Sequence, residues 1–150
     1  MKLSTRGRYG LRFVLELARR FGDGPIFLGD IARKQDISEK YLGQLVIPLK
    51  NADLIRSQRG AHGGYMLTRE PSAITLRQVV EAVEGSLALV ECVDHPETCS
   101  RSNGCIHRDV WARVTECISG TLESITLQDL VDRSKKRSRK KKKSSGGKND

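Results

Sequence analysis

Ile37-Ser-Glu-Lys-Tyr-Leu-Gly-Gln-Leu45, followed by Leu54-Ile-Arg-Ser-Gln58, Arg59-Gly-Ala-His-Gly-Gly64 and Tyr65-Met-Leu67, reads as a recognition helix running into a β-hairpin. Ser38 is an N-cap, because its hydroxyl can accept a hydrogen bond from a backbone N–H in the first turn of the helix that follows. From Glu39 to about Ile47, helical spacing puts Tyr41, Leu42 and Leu45 on an inner face and leaves Glu39, Lys40, Gly43 and Gln44 outside. A brief helix with Ile31 and Ala32 inward precedes it, bridged by Ile37. Two short helices joined by a tight turn have helix-turn-helix geometry. Pro48 lacks a backbone donor, so the helix should end or kink there and finish in a last turn through Asn51. Downstream, two short strands flank a loop rich in glycine, with Arg56, Arg59 and His62 on or near its tip. A basic, glycine-rich hairpin directly after a helix-turn-helix is a wing.

Working outward, Ser4 or Thr5 can cap a first helix carrying Leu11, Val14, Leu15, Ala18 and Phe21, which stops at Gly22-Asp-Gly-Pro25. Ile26-Phe-Leu28 could add a small strand. Thr75-Leu-Arg-Gln78 is a capping box that opens a helix running to Gly85. Farther on, Trp111, Val114, Ile118, Leu122 and Ile125 form a seam with coiled-coil-like steps. That seam suits packing against a symmetric copy or against the chain's own domain. Thr126 starts a final short helix with Leu127, Leu130 and Val131. The fold class is therefore mostly α with a small β-hairpin, a winged helix-turn-helix plus a long dimerisation helix. Residues 1–70 are the DNA-binding domain, 71–132 the cysteine loop and dimerisation helices, and 133–150 a disordered basic tail.

Charge is polarised along the chain. Residues 1–69 hold 13 Lys and Arg against 6 Asp and Glu, residues 70–132 hold 4 against 11, and residues 133–150 hold 10 against 1. A basic first half is the electrostatic footprint of a nucleic-acid binder. The tail has no apolar residue, so it reads either as a solvated extension or as a non-specific arm on DNA. No run of eighteen apolar residues suggests a membrane span, and Arg12 and Glu16 interrupt any leader-like stretch, so the expected location is cytoplasmic. The sequence lacks Cys-x-x-Cys, a nucleophile elbow and His-Glu-x-x-His, which argues against an enzyme.

Cys92, Cys99 and Cys105 fall in one polar stretch, Cys92-Val-Asp-His-Pro-Glu-Thr-Cys99-Ser-Arg-Ser-Asn-Gly-Cys105-Ile-His107. In a reducing compartment, three close thiols are a ligand set rather than a disulfide framework. Structural zinc usually takes Cys-x2-Cys pairs, which are absent, whereas iron–sulfur clusters accept varied spacings. An iron–sulfur cluster, [2Fe-2S] or [4Fe-4S], is the first reading and zinc the second. Cys117 lies about 18 Å farther along the same expected helix, too far to share a cluster, and reads as packing.

Met1-Lys-Leu-Ser-Thr-Arg-Gly-Arg-Tyr-Gly-Leu-Arg12, Ile37–Leu45, Arg59–Tyr65 and Ile125-Thr-Leu-Gln-Asp-Leu130 together resemble the IscR and NsrR type of winged-helix transcription regulators over residues 1 to about 132. The resemblance implies a homodimer with crossing long helices, a palindromic double-stranded DNA operator and, in cysteine-bearing members, a cluster that tunes DNA affinity. Such members often have a histidine three residues past the last cysteine; here that position is Arg108 and His107 precedes it. An acidic ligand from the partner's first helix, used by some relatives, is replaced by Arg8. His107 is assigned as the fourth ligand, with His95, Asp94, water or a small molecule as alternatives. In the recognition helix, Gly43 stands where that type often carries an acid. Ser38, Lys40, Tyr41 and Gln44 are assigned to the major groove, and Arg59, with Gly60 and His62, to the minor groove; Arg56 completes the DNA-binding set.

Overall fold

A computed structural model describes residues 2–145. The described chain has seven α-helices and one two-stranded antiparallel hairpin: α1 Thr5–Arg19, α2 Leu28–Gln35, α3 Glu39–Asn51, β1 Ile55–Gln58, β2 Gly64–Leu67, α4 Leu76–Glu84, α5 Glu91–Asp94, α6 Ile106–Glu123 and α7 Leu127–Ser145. In the hairpin Ile55 pairs with Leu67 and Gln58 with Gly64. Ile26 does not build a third strand. It makes a single bridge to Tyr65, with both N–H···O distances at 2.9 Å, and Phe27 then leads directly into α2.

The caps form as their side-chain chemistry requires. Ser4 accepts from the N–H groups of Arg6 and Gly7, Ser38 from that of Tyr41, and Thr75 and Gln78 close their box reciprocally. A second cap on α1 comes from α4, 77 to 80 positions away. Glu84 Oε1 accepts from the N–H groups of Ser4 and Gly7, each at 3.0 Å, and from the Ser4 hydroxyl. A carboxylate is favoured at a helix N-terminus, where unpaired N–H groups carry partial positive charge. Gly7 leaves room for this approach, since a Cβ there would meet the same carboxylate and the Leu3 side chain, which would have to shift. α4 thus crosses α1 closely, with Val83 against Gly10.

One core serves most of the chain. Phe13, Leu17, Leu42, Leu45, Leu49 and Leu54 join Ile74, Val79, Leu127 and Val131 in it. Residues 71–84 and the start of α7 are therefore packed with the first segment, and position 70 marks no break in the core. The first helix buries Phe13, Val14, Leu17 and Ala18, while Leu11 and Leu15 are half-buried and Phe21 is exposed. The buried stripe is rotated from the expected one because α1 is covered by α4 on one side and by α3 and β2 on another.

Two further expectations change. In the recognition helix the last turn through Asn51 forms as expected, but as part of one helix that does not end at Pro48. A proline in the third turn removes one N–H bond without stopping the ladder: its own carbonyl accepts from Ala52 N–H at 3.0 Å. The final helix is long, and it runs through residues 133–145, where the sequence suggests disorder. Lys and Arg are good helix formers and no Gly or Pro interrupts them before Gly146, so hydrophobic content alone misjudges this segment. Residues 146–150 lie outside the described part. At the start of α7, Asp129 Oδ2 accepts from the Thr126 N–H at 2.8 Å and from its hydroxyl. These bonds hold the Asp129 carboxyl below the usual carboxylate range. No helix of the described residues is long and apolar enough to cross a membrane.

Candidate nucleic-acid interface and cysteine loop

Ser38, Lys40 and Gln44 are all exposed on the outer side of α3. Ser38 still performs its capping role, accepting from Tyr41 N–H at 3.1 Å. Tyr41 is half-buried, edge-on to Tyr9 with ring centroids 5.7 Å apart, so its ring braces α3 against α1. Arg56, Arg59, Gly60 and His62 are exposed on the hairpin. Lys50 Nζ donates to Ser57 Oγ at 3.2 Å, fastening the end of α3 to β1. An open groove of about 460 Å³ runs between the start of α3 and the wing, lined among others by Phe27, Glu39, Arg59, Gly60 and Tyr65.

Three residues of this surface are not singled out by the sequence pattern. Glu39 has the pattern of a solvated position, yet it lines the groove beside Arg59. Phe27 and Ile47 are 58% and 62% exposed, although both lie in apolar runs that suggest burial. The available signal is helical phase, since Ile47 falls three residues after Gln44 on the outer face.

The angle between α1 and α2 is held by a buried carboxylate. Glu16, only 2% exposed, accepts from Arg19 Nη1 at 2.6 Å, Lys34 Nζ at 2.6 Å and Gln35 Nε2 at 2.7 Å. Arg12 adds two bonds to Gln35, at 2.9 Å to its side chain and 2.8 Å to its carbonyl. Together these polar groups pin the C-terminal end of α2, which leads through Asp36 and Ile37 into the recognition helix.

The cysteines occupy distinct local structures. Cys92 lies in the one-turn helix α5, Cys99 follows a 3₁₀ turn at Pro96–Thr98, and Cys105 immediately precedes α6. All three are half-buried free thiols. Cys117 is exposed rather than packed, because it lies on the side of α6 that faces away from the domain. Arg108 Nε donates to the Cys92 carbonyl at 2.7 Å, joining α6 to α5. His107 is exposed in the first turn of α6; His95 Nδ1 is 3.2 Å from Glu97 Oε1, and Asp94 accepts from the Ser86 hydroxyl. Among the described residues, no group of three His, Cys, Asp or Glu side chains is close enough to hold a metal ion. Three thiols on one loop suit an iron–sulfur cluster in kind and supply three of the usual four ligands, and the loop would have to draw together to use them.

α6 has no buried residue. Its half-buried side, with Arg108, Ala112, Thr115, Ser119 and Leu122, faces the domain, whereas Ile106 is 73%, Val110 55% and Trp111 43% exposed. These three bared apolar side chains lie within the first two turns of the 18-residue helix.

A family model described as Rrf2, iron-dependent transcriptional regulator, matches residues 3–133. The chain belongs to the Rrf2 family. It is 44% identical over 131 residues to the HTH-type transcriptional regulator CymR of Bacillus subtilis, covering 87% of this chain and 90% of that one. The HTH-type transcriptional regulator IscR of Yersinia pseudotuberculosis is 39% identical over 132 residues, covering 88% and 80%. The solved structure of CymR, the global cysteine regulator of B. subtilis, superimposes with a TM-score of 0.73 at 41% identity, covering 89% of this chain and 98% of that one. This Rrf2 protein is accordingly a DNA-binding transcriptional regulator and not an enzyme, with a mostly helical winged-helix fold.

Proposed function

We propose that this Rrf2 protein is a homodimeric regulator that binds a palindromic operator with α3 and the wing, and that an iron–sulfur cluster on Cys92, Cys99 and Cys105 sets its operator affinity. The observation that carries the reading is the combination of three half-buried thiols on one loop with the iron-dependent description of the matching family. His107 is the assigned fourth ligand. When bound, the cluster supplies a redox- and iron-sensitive cross-link of the loop.

This chain's residues provide the route from loop to DNA. The loop connects α4, whose Glu84 caps α1, with α6, whose Arg108 holds the Cys92 carbonyl. Closing the loop would move α6 against α4. In a dimer joined through the bared face of α6, that motion changes the separation of two recognition helices that need half-sites about 34 Å apart. Gln44 reads a base, since its amide can bond adenine bidentately. Glu39 adds an acceptor at the groove between α3 and the wing. Gln44→Ala should weaken binding to the operator by about 10- to 100-fold, the roughly 1–3 kcal/mol of one bidentate pair, with random duplex binding unchanged. A competition titration checks this, and equal selectivity in the variant removes Gln44 from base reading.

A second reading keeps the fold and DNA contacts but leaves the cysteines with zinc or empty, with control by a protein partner or metabolite. Two observations favour it: no three metal-binding side chains converge among the described residues, and the similar CymR is a cysteine regulator by name. Metal analysis separates the two.

A further inference from the structure

Residues 133–143 hold nine Lys or Arg in eleven positions, and all of them continue α7 as a helix. The family match ends at residue 133, so this arm is an addition to the shared fold. At 1.5 Å per residue it spans about 15 Å. That gives one positive charge per roughly 1.7 Å, the linear density of phosphate charge along duplex DNA.

The arm is anchored rather than tethered. Leu127 and Val131 are buried in the core, the Thr126–Asp129 bonds cap the helix, and Ser134 Oγ donates to the Val131 carbonyl at 2.7 Å. Beside it, a groove of about 900 Å³ lined by Leu15, Arg19, Leu130, Arg133 and Arg137 carries the basic surface from α1 onto the arm. Among the described residues, Lys135, Lys136, Arg137, Arg139 and Lys140 form no ion pair with a carboxylate, although residues 70–132 carry a net charge of −7. Like charges three and four positions apart repel along a helix, so a polyanion laid against the arm relieves a cost the folded chain carries alone.

The sequence of the arm narrows the polyanion. Beyond Val131 there is no apolar face to enter a membrane interface, and no aromatic side chain on which single-stranded bases could stack. Lysines and arginines on a continuous helix suit duplex phosphates. We propose that α7 beyond Arg133 is a second, sequence-independent DNA contact that binds the phosphates of duplex flanking the operator. The proposal rests on the reading of this chain as a regulator that binds duplex DNA.

The test compares the full-length protein with its Lys135→Gln, Lys136→Gln, Arg137→Gln, Arg139→Gln variant, all at exposed positions where glutamine keeps helix propensity. Two probes are used, each of about 40 base pairs: one carrying a sequence selected by the wild-type protein from a randomised pool, the other of random sequence. Affinities are measured from about 50 to 200 mM salt. The expected result is a salt slope shallower by about 2 or more and at least tenfold weaker binding to both probes, with their affinity ratio unchanged. Unchanged slope and affinity on both probes overturn the proposal and leave the regulator reading in place. A change in the ratio alone also overturns it, because the arm would then be reading sequence. If the wild-type protein selects no duplex, the regulator reading fails and the proposal fails with it.

Discussion

Replacing Gly64 with alanine lowers stability by about 3 kcal/mol and unseats the wing, combining backbone strain with an overpacked contact. Gly64 has φ +151°, and a Cβ there would sit 2.5 Å from the Ile26 carbonyl carbon, 2.9 Å from Phe27 N and closer still to the Ile26 oxygen. All three neighbours are backbone atoms, so no side-chain rotation relieves the clash. The chain must give up the paired bonds between Ile26 and Tyr65, which hold the wing against the segment between α1 and α2. Because the wing carries Arg59 and His62, operator binding should fall with stability. Gly43→Ala provides the contrast. Gly43 lies inside α3 with nothing within 4 Å of an added Cβ, so alanine there gains up to about 1 kcal/mol in helix propensity. Chemical denaturation of both variants checks the pair. A Gly64→Ala protein as stable as wild type would show that the wing does not depend on this contact.

Glu16→Ala costs about 2–3 kcal/mol, the second large effect, because it removes a buried carboxylate with three charged or polar donors. The figure stays below that for a fully buried ion pair because the Arg19 and Lys34 side chains are 34% and 58% exposed and can return to water. At roughly 2–4 °C per kcal/mol for a chain of this size, the melting temperature should fall by about 5–10 °C. The same change loosens α2 against α1 and hence the helix-turn-helix. Glu16→Gln, which keeps the volume and one acceptor, should lose less. A melting temperature within about 1 °C of wild type for Glu16→Ala would mean that Arg12 and its two bonds to Gln35 hold the junction alone.

The parts that local chemistry governs are legible in the sequence. Ser38 and the Thr75–Gln78 box cap the helices they should, and Gly60, Gly63 and Gly64 turn the hairpin where a wing is needed. Features that depend on distant partners are not. Glu84 caps α1 from a helix about 80 residues away, and no local pattern marks that contact. Phe21 and the rotated face of α1 follow from which neighbours cover the helix. Pro48 weighs less than its chemistry suggests, since one missing donor near a helix end is tolerated. Lack of apolar residues points to disorder in the arm, whereas its helix is seeded by Leu127 and Val131 in the core.

At the candidate site, Gln44, Lys40 and Arg59 stand exposed on the surface where helical phase and hairpin geometry put them, and Tyr41 turns partly inward to Tyr9. The cysteines are legible as a group in sequence, whereas among the described residues they are not part of a gathered ligand set in space. Under the proposed function the loop would draw together as its cofactor binds, and spacing alone does not specify such a rearrangement.

That Cys92, Cys99 and Cys105 hold an iron–sulfur cluster is the central claim, and iron, sulfide and zinc content with a visible absorbance spectrum tests it most directly. Full-length protein purified without oxygen is compared with its Cys92→Ala, Cys99→Ala, Cys105→Ala variant. The expected result is iron and sulfide with charge-transfer absorbance in the wild type and none in the variant, while both keep the same helical content. Zinc or no metal in the wild type, or iron and sulfide unchanged in the variant, would contradict it.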